Sequence, residues 1–219
     1  MTTKLYFRTD TAPEPKPSTG EKMPYAWHIL PNTYGGGQDD ISATHPCKMS
    51  LTPGTANTSH IQSYTEPGAV HNGWVKQYVS PPLAAQRITG TFDITADFLA
   101  SGGPTQSMNP LICMYVWKRD NSGSTRLAYV VTSVAANKTI GTLQFFFTTV
   151  IMADVDALDG DVIVIEIMWT DNNTKTVAYD HGFGYNGAVG SGYESYIEFS
   201  MNIAWQAAPS ADQFMDQII

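Results

Sequence analysis

The stretch Asp159-Gly160-Asp161-Val162-Ile163-Val164-Ile165-Glu166-Ile167-Met168-Trp169 decides how this chain folds. A polar Asp-Gly-Asp turn opens directly into an apolar strand, and side chains alternate between faces along a strand. Ile163, Ile165, Ile167 and Trp169 therefore share one face, and Val162, Val164, Glu166 and Met168 share the other. Near the C-terminus Ile197, Phe199, Met201 and Ile203 alternate with Glu198, Ser200 and Asn202. A Gly-rich loop and no helix lie between these two stretches, which points to an antiparallel β-sheet.

Working outward, residues 4–8 read as a short strand with Leu5 and Phe7 on one face. Residues 87–99 give the cleanest alternation: Ile88, Phe92, Ile94, Ala96 and Phe98 inward, against Thr89, Thr91, Asp93, Thr95 and Asp97 outward. Residues 111–117 form a continuous apolar run, the pattern of a strand covered on both faces. Arg119-Asp120-Asn121-Ser122-Gly123-Ser124 is turn chemistry, with 127–134 as the hairpin partner. Strands at 74–79 and 143–150 bring the expectation to about eight, the pattern of an all-β, antiparallel two-sheet sandwich of jelly-roll type.

The chain divides by composition into three parts. Residues 1–24 hold the first strand and an arm containing Pro13, Pro15, Pro17 and Pro24; residues 25–204 form the sandwich; residues 205–219 form a tail. Proline fixes φ and removes a donor, so the arm is expected to be extended, as a linker or lying across a neighbouring subunit. In the tail Ser210 and Gln213 fit a capping box, and Phe214, Met215 and Ile218 would form one apolar helix face that docks on its own domain or makes a partner contact. Residues 25–72 show little periodicity.

Charged residues are 15% of the 219, below the roughly 25% usual in globular chains, while 42% are hydrophobic, enough for a core. The net charge of −8 argues against direct nucleic-acid binding and against an anionic membrane surface. No apolar window is long enough for a transmembrane helix, and the first residues lack the apolar core of a signal peptide, so synthesis in a cytoplasm is expected. Cys47 and Cys113 are then expected as unpaired thiols.

Tests for chemistry find little. Asp154, Asp156, Asp159 and Asp161 offer oxygen ligands suited to calcium, but an EF-hand counted from Asp154 would put Asp159 where glycine belongs and Ile165 where glutamate belongs. A turn into the next strand is the simpler assignment, and no metal or other cofactor is expected. The five histidines lack metal-site spacing, and no Gly-x-Ser-x-Gly elbow or phosphate loop occurs. Nothing reads as an enzyme. Tyr179, Phe183, Tyr185 and Tyr193 cluster with His181 around the glycines of 182–192, where exposed rings could stack on a sugar or anchor a protein, or else plug the loop onto its own sandwich.

Four segments in order, Thr-Lys-Leu-Tyr-Phe-Arg at 3–8, Pro-Leu-Ala-Ala-Gln-Arg-Ile-Thr-Gly-Thr at 82–91, Leu-Asp-Gly-Asp-Val-Ile-Val-Ile-Glu-Ile at 158–167 and Tyr-Ile-Glu-Phe-Ser at 196–200, resemble a group of tailed-bacteriophage virion structural proteins. The resemblance implies a β-sandwich that decorates the head or belongs to the tail or a fibre. It implies a place in the virion after synthesis in the host cytoplasm, and other capsid or tail proteins as partners. It also implies a homo-oligomer, with a trimer as one candidate. It brings no catalytic residues. The chain departs from the pattern at 10–72 and after Ala204, where partner contacts are expected. A carbohydrate-binding module at a fibre tip, contacting a host-surface glycan through the 179–193 aromatics, is the alternative.

Overall fold

The computed structural model describes residues 2–12, 15, 16, 47–64, 72–101, 108–131, 144–171, 179–185, 187 and 194–206. Every regular element among them is a strand. In chain order these are β1 (Thr3–Thr11), β2 (Cys47–Ser50), β3 (Thr58–Tyr64), β4 (Asn72–Val79), β5 (Gln86–Ile88), β6 (Thr91–Ser101) and β7 (Met108–Trp117). There follow β8 (Ser124–Val131), β9 (Gln144–Ile151), β10 (Val155–Ala157), β11 (Val162–Asp171), β12 (Tyr179–Tyr185) and β13 (Tyr196–Phe199).

Ten of these strands form one path, β3-β12-β6-β13-β1-β2-β4-β11-β7-β8, and β9 joins beside β6; β10 and β5 make a separate two-stranded sheet. The pairings are antiparallel except between β2 and β4, where Cys47 lies beside Tyr78 in parallel. The large sheet curls over on itself. Tyr78 of β4 and Phe183 of β12 are far apart along the path, yet their rings are 6.3 Å apart across the interior. The residues after β9 link β8, one end of the path, to β6 in its other half: Met152 N–H donates to Gly90 O at 2.9 Å and Ala153 N–H to Leu127 O at 2.7 Å. The result is the expected all-β sandwich, built by folding one sheet double.

The alternation read in the sequence sets what is inside. Leu5 and Phe7 of β1, Ile163, Ile165 and Ile167 of β11, and Ile197 and Phe199 of β13 are fully buried in the main core. Phe7, Tyr78, Phe98, Phe183 and Tyr185 form its aromatic centre, with Phe7 and Tyr78 centroids 4.5 Å apart. Val162 and Val164 join Cys113, Tyr115, Trp117, Val79 and Ala12 in a second cluster on the opposite face of β4, β11 and β7. β7 is therefore covered on both faces, as its unbroken apolar run predicts. Cys47 and Cys113 are buried thiols outside any disulfide, and they lie in different clusters.

Several expectations need correction. The strand expected over 87–99 is broken in two by Gly90, whose φ of +93° a side chain tolerates poorly and whose added Cβ would sit 2.8 Å from Ser200 Oγ. Thr95 and Asp97, expected to face outward, are fully buried, because the second face of β6 is covered there as well. The first strand belongs inside the sheet, since β1 pairs with β13 on one side and β2 on the other. The stretch 25–72 contains β2 and β3. The region from Tyr179 to Tyr185, expected as a loop, is a strand paired with β3 and β6. The Pro-rich residues 13, 14 and 17–24 and the tail helix fall outside the described residues.

Tyr78 is wholly buried, its hydroxyl has no hydrogen-bond partner among the described residues, and burial raises its pKa well above 10. A buried hydroxyl without a partner is a cost of about 1–3 kcal/mol. Tyr78→Phe keeps the ring and is expected to leave stability unchanged or raise it by about 1 kcal/mol, whereas Phe183→Ala should lose about 3–5 kcal/mol. Urea unfolding midpoints of the two variants check both values.

Candidate functional site

The turn that opens β11 organises one end of the sandwich. Asp161 is buried, and its carboxylate accepts from Arg119 N–H at 3.0 Å and from Leu158 N–H at 2.9 Å, capping two loops with one side chain. Gly160, at φ +88°, donates its N–H to Leu83 O at 2.8 Å, and Leu83 N–H donates to Asp161 O at 2.7 Å. Leu83 also bridges to Trp205, and Gln206 N–H donates to Pro82 O at 2.9 Å while its side-chain amide donates to Asp159 Oδ2 at 2.9 Å. Arg119 closes the turn by donating from Nη1 to Asp159 O at 3.0 Å. Segments from four parts of the chain thus meet at this end, and Leu158 stands on it with 56% of its surface exposed.

The four aspartates are not a shared site. Asp154 takes hydrogen bonds from Arg87 at 2.7 Å and from Thr89 Oγ1. Asp161 caps backbone, and the contacts of Asp159 go to Arg119 and Gln206. Asp156 is an exposed residue of β10. Among the described residues no three His, Cys, Asp or Glu side chains converge as metal ligands. Of the four, Asp159 and Asp161 hold the turn into β11.

A second polar cluster lies on the outer face of β4, β11 and β7, where Gln77, Glu166 and Cys113 stand opposite one another across three strands. Gln77 Nε2 donates to Glu166 Oε1 at 2.6 Å, Tyr115 OH donates to Glu166 Oε2 at 3.2 Å, and Gln77, Glu166 and Tyr115 are essentially unexposed. Burial first, and then the Glu166 charge, pushes the Tyr115 hydroxyl far up, so it stays a donor. Burial pushes the Cys113 thiol up to about 12, leaving it protonated and a poor nucleophile. This row fixes strand register.

The aromatic candidates separate. Phe183 and Tyr185 are 0% and 3% exposed and stack at 5.7 Å inside the main core, so neither offers a ring face to a glycan or a partner. Tyr179 lies at the start of β12, its side chain outside the described residues, as are Tyr193 and the tail residues Phe214, Met215 and Ile218. Ser195 is buried beside Asp97 and Glu194, but its hydroxyl donates to Gly184 O at 2.6 Å and accepts from Asp97 N–H at 3.4 Å, which ties β12 to β13. Sequence reasoning misses the roles of Asp161, Arg119, Leu83 and Gln206. Their partners lie up to 124 positions away (206 − 82 = 124) and leave no local pattern. A lone Glu166 in an apolar strand is the one signal available for the buried row.

No protein-family model matches the chain, and no curated protein is similar to it. Among solved structures it is similar to those titled infectious bursal disease virus Gx strain and Gt strain, at 8% and 9% identity and TM-scores of 0.26 and 0.27. Each alignment covers 76% of this chain, and the chain spans 45% and 46% of the two structures. At those scores the likeness carries no argument about function.

Asp161→Ala leaves two backbone N–H groups without their acceptor and is expected to cost about 1–3 kcal/mol, read from the urea midpoint. For Asp154 the hydrogen bond from Arg87, and then that from Thr89, holds the carboxyl below its ordinary value. A depressed pKa contributes stability that is complete above the unfolded-state value of about 3.9 and fades as pH falls through the folded one. The difference in stability between the native chain and Asp154→Asn should therefore be constant at neutral pH and shrink below about pH 4. Denaturation series at stepped pH check this.

Proposed function

We propose that this chain is a non-enzymatic structural protein of a tailed-bacteriophage particle, made in the host cytoplasm and incorporated into the virion. It would decorate or cement the capsid, or form part of the tail or a fibre, by associating with itself and with other virion proteins. One observation carries the proposal. The four segments that resemble phage virion proteins, scattered from residue 3 to residue 200, form a single contiguous unit. Leu5 lies opposite Ile197 across β1 and β13. Thr91 O accepts from Ser200 N–H at 2.9 Å, and Leu83 N–H reaches Asp161 O at 2.7 Å. The segments that carry the resemblance thus lie side by side in the fold.

Two surface features support association. β3 is an end strand that pairs only with β12 among the described strands, so its outer edge can add a further strand. Ile151 is 78% exposed, held out by an irregular stretch of β9 in which Thr149 has φ +54°. That conformation is unusual for a β-branched residue, and the Asp93 carboxylate secures it by accepting from Thr149 N–H at 2.6 Å.

Antibody labelling of phage particles purified from a producing host, viewed by electron microscopy, tests the proposal. Label at a fixed position on the particle is the expected result, together with a homo-oligomeric mass for the isolated protein. A chain present in the lysate but absent from purified particles would sink it.

A further inference from the structure

Within the large sheet three of the described strands, β3, β8 and β9, have a strand partner on one side only. Open strand edges invite pairing with another chain, and folds blunt them with charges, proline, bulges or a covering segment. β9 is blunted: its register against β6 shifts twice, and Thr149 within it has φ +54°. β8 is blunted as well, since Leu127 O already accepts from Ala153 N–H at 2.7 Å and Arg126 stands exposed on the strand. The sequence of β3 carries no such device. Its seven residues, Thr58-Ser59-His60-Ile61-Gln62-Ser63-Tyr64, include no proline, glycine, lysine, arginine or carboxylate. They pair with β12 through seven consecutive positions without a shift, from Thr58 opposite Tyr185 to Tyr64 opposite Tyr179. A regular strand paired on one side directs alternate backbone N–H and C=O groups away from its partner.

The order of residues favours a second copy of the same strand as the occupant. Laid antiparallel about Ile61, β3 puts Ile61 opposite itself, Ser59 opposite Ser63, His60 opposite Gln62 and Thr58 opposite Tyr64. The one aliphatic residue then meets its own copy, polar residues meet residues with polar groups, and no like charges face across the pair. The chain carries a net charge of −8, so two copies repel over their surfaces, and an uncharged edge is where they approach at least cost. Pairing about a single point is isologous and closes at two copies, the commonest symmetry of soluble oligomers.

We propose that two copies of the chain join β3 to β3, antiparallel, with Ile61 at the two-fold axis, so that one large sheet runs on into the other. The pairing rests on the self-association proposed above and is independent of where in a particle the protein sits.

Charges placed at the facing serines of the full chain test both the surface and its register. Ser59→Lys with Ser63→Lys sets like charges opposite each other twice, and Ser59→Lys with Ser63→Asp sets opposite charges at the same two places. The native chain should sediment as a dimer at micromolar protein. Its dimer Kd should rise about tenfold in the first variant and return to within about twofold of native in the second. General repulsion predicts the reverse order, because the first variant reduces the net charge (−8 + 2 = −6) and the second leaves it at −8. A monomeric native chain overturns the proposal, and so does a dimer that the two variants weaken equally or leave unchanged. A monomer that still labels purified particles removes this pairing and keeps the particle role. A β3-paired dimer absent from those particles does the opposite.

Discussion

Everything in this sandwich depends on β1 lying between β13 and β2. Among the described strands it is the first, and on one side it pairs with the last of them, Thr3 opposite Phe199 and Leu5 opposite Ile197. On the other side Phe7 faces Met49 of β2, and β2 in turn joins β4. β1 is thus the bridge between the half of the sheet that holds β6, β12 and β13 and the half that holds β4, β11 and β7. Its side chains do the same in the interior, where Phe7 contacts Tyr78 of one half and Phe183 of the other. Thr3 adds a third link through Ile203. Burying Leu5 and Phe7 contributes about 1.5–3 kcal/mol each. The pairing spans nearly the whole sequence, so the core cannot close until the C-terminal strands exist, and folding should be slow for the chain's size.

That closure also explains the ends. With β1 and β13 fixed, residues 200–206 are carried across to Thr91, Pro82 and Asp159, where the turn before β11 collects them. The acidic residues of this turn are consumed in holding loops, and the buried Gln77–Glu166–Tyr115 row is consumed in register. The Gln77–Glu166–Tyr115 row is buried, whereas Arg119, Asp159 and Gln206 lie exposed at one end of the sandwich.

Period-two alternation makes the main strands legible. Leu5 with Phe7, the isoleucines of β11, and Ile197 with Phe199 all fall on the face that the pattern predicts, because one hydrophobic face dominates each strand. The same rule fails at Thr95 and Asp97, because a polar residue in an alternating pattern reads as exposed when its own face is also covered. It fails again at β12. Tyr179, His181, Phe183 and Tyr185 alternate as strand residues do, but Gly182 and Gly184 weigh toward a loop. In the fold β12 is a paired strand, and Gly184 O accepts the Ser195 hydroxyl. The two three-residue strands, β5 and β10, are too short for any periodicity. At the candidate site, the turn character of Asp159-Gly160-Asp161 is readable locally. Its partners Arg119, Leu83 and Gln206 are not, since only the closed sheet brings them near.

Amide hydrogen exchange of β1 tests this account most directly. If β1 bridges the two halves, the paired amides of residues 5–7 exchange only through global unfolding, with the same free energy as the amides of β11 and Ile197. Exchange of β1 at the rate of a frayed terminus, while β11 remains protected, would show that the sandwich stands without its first strand and would contradict the account.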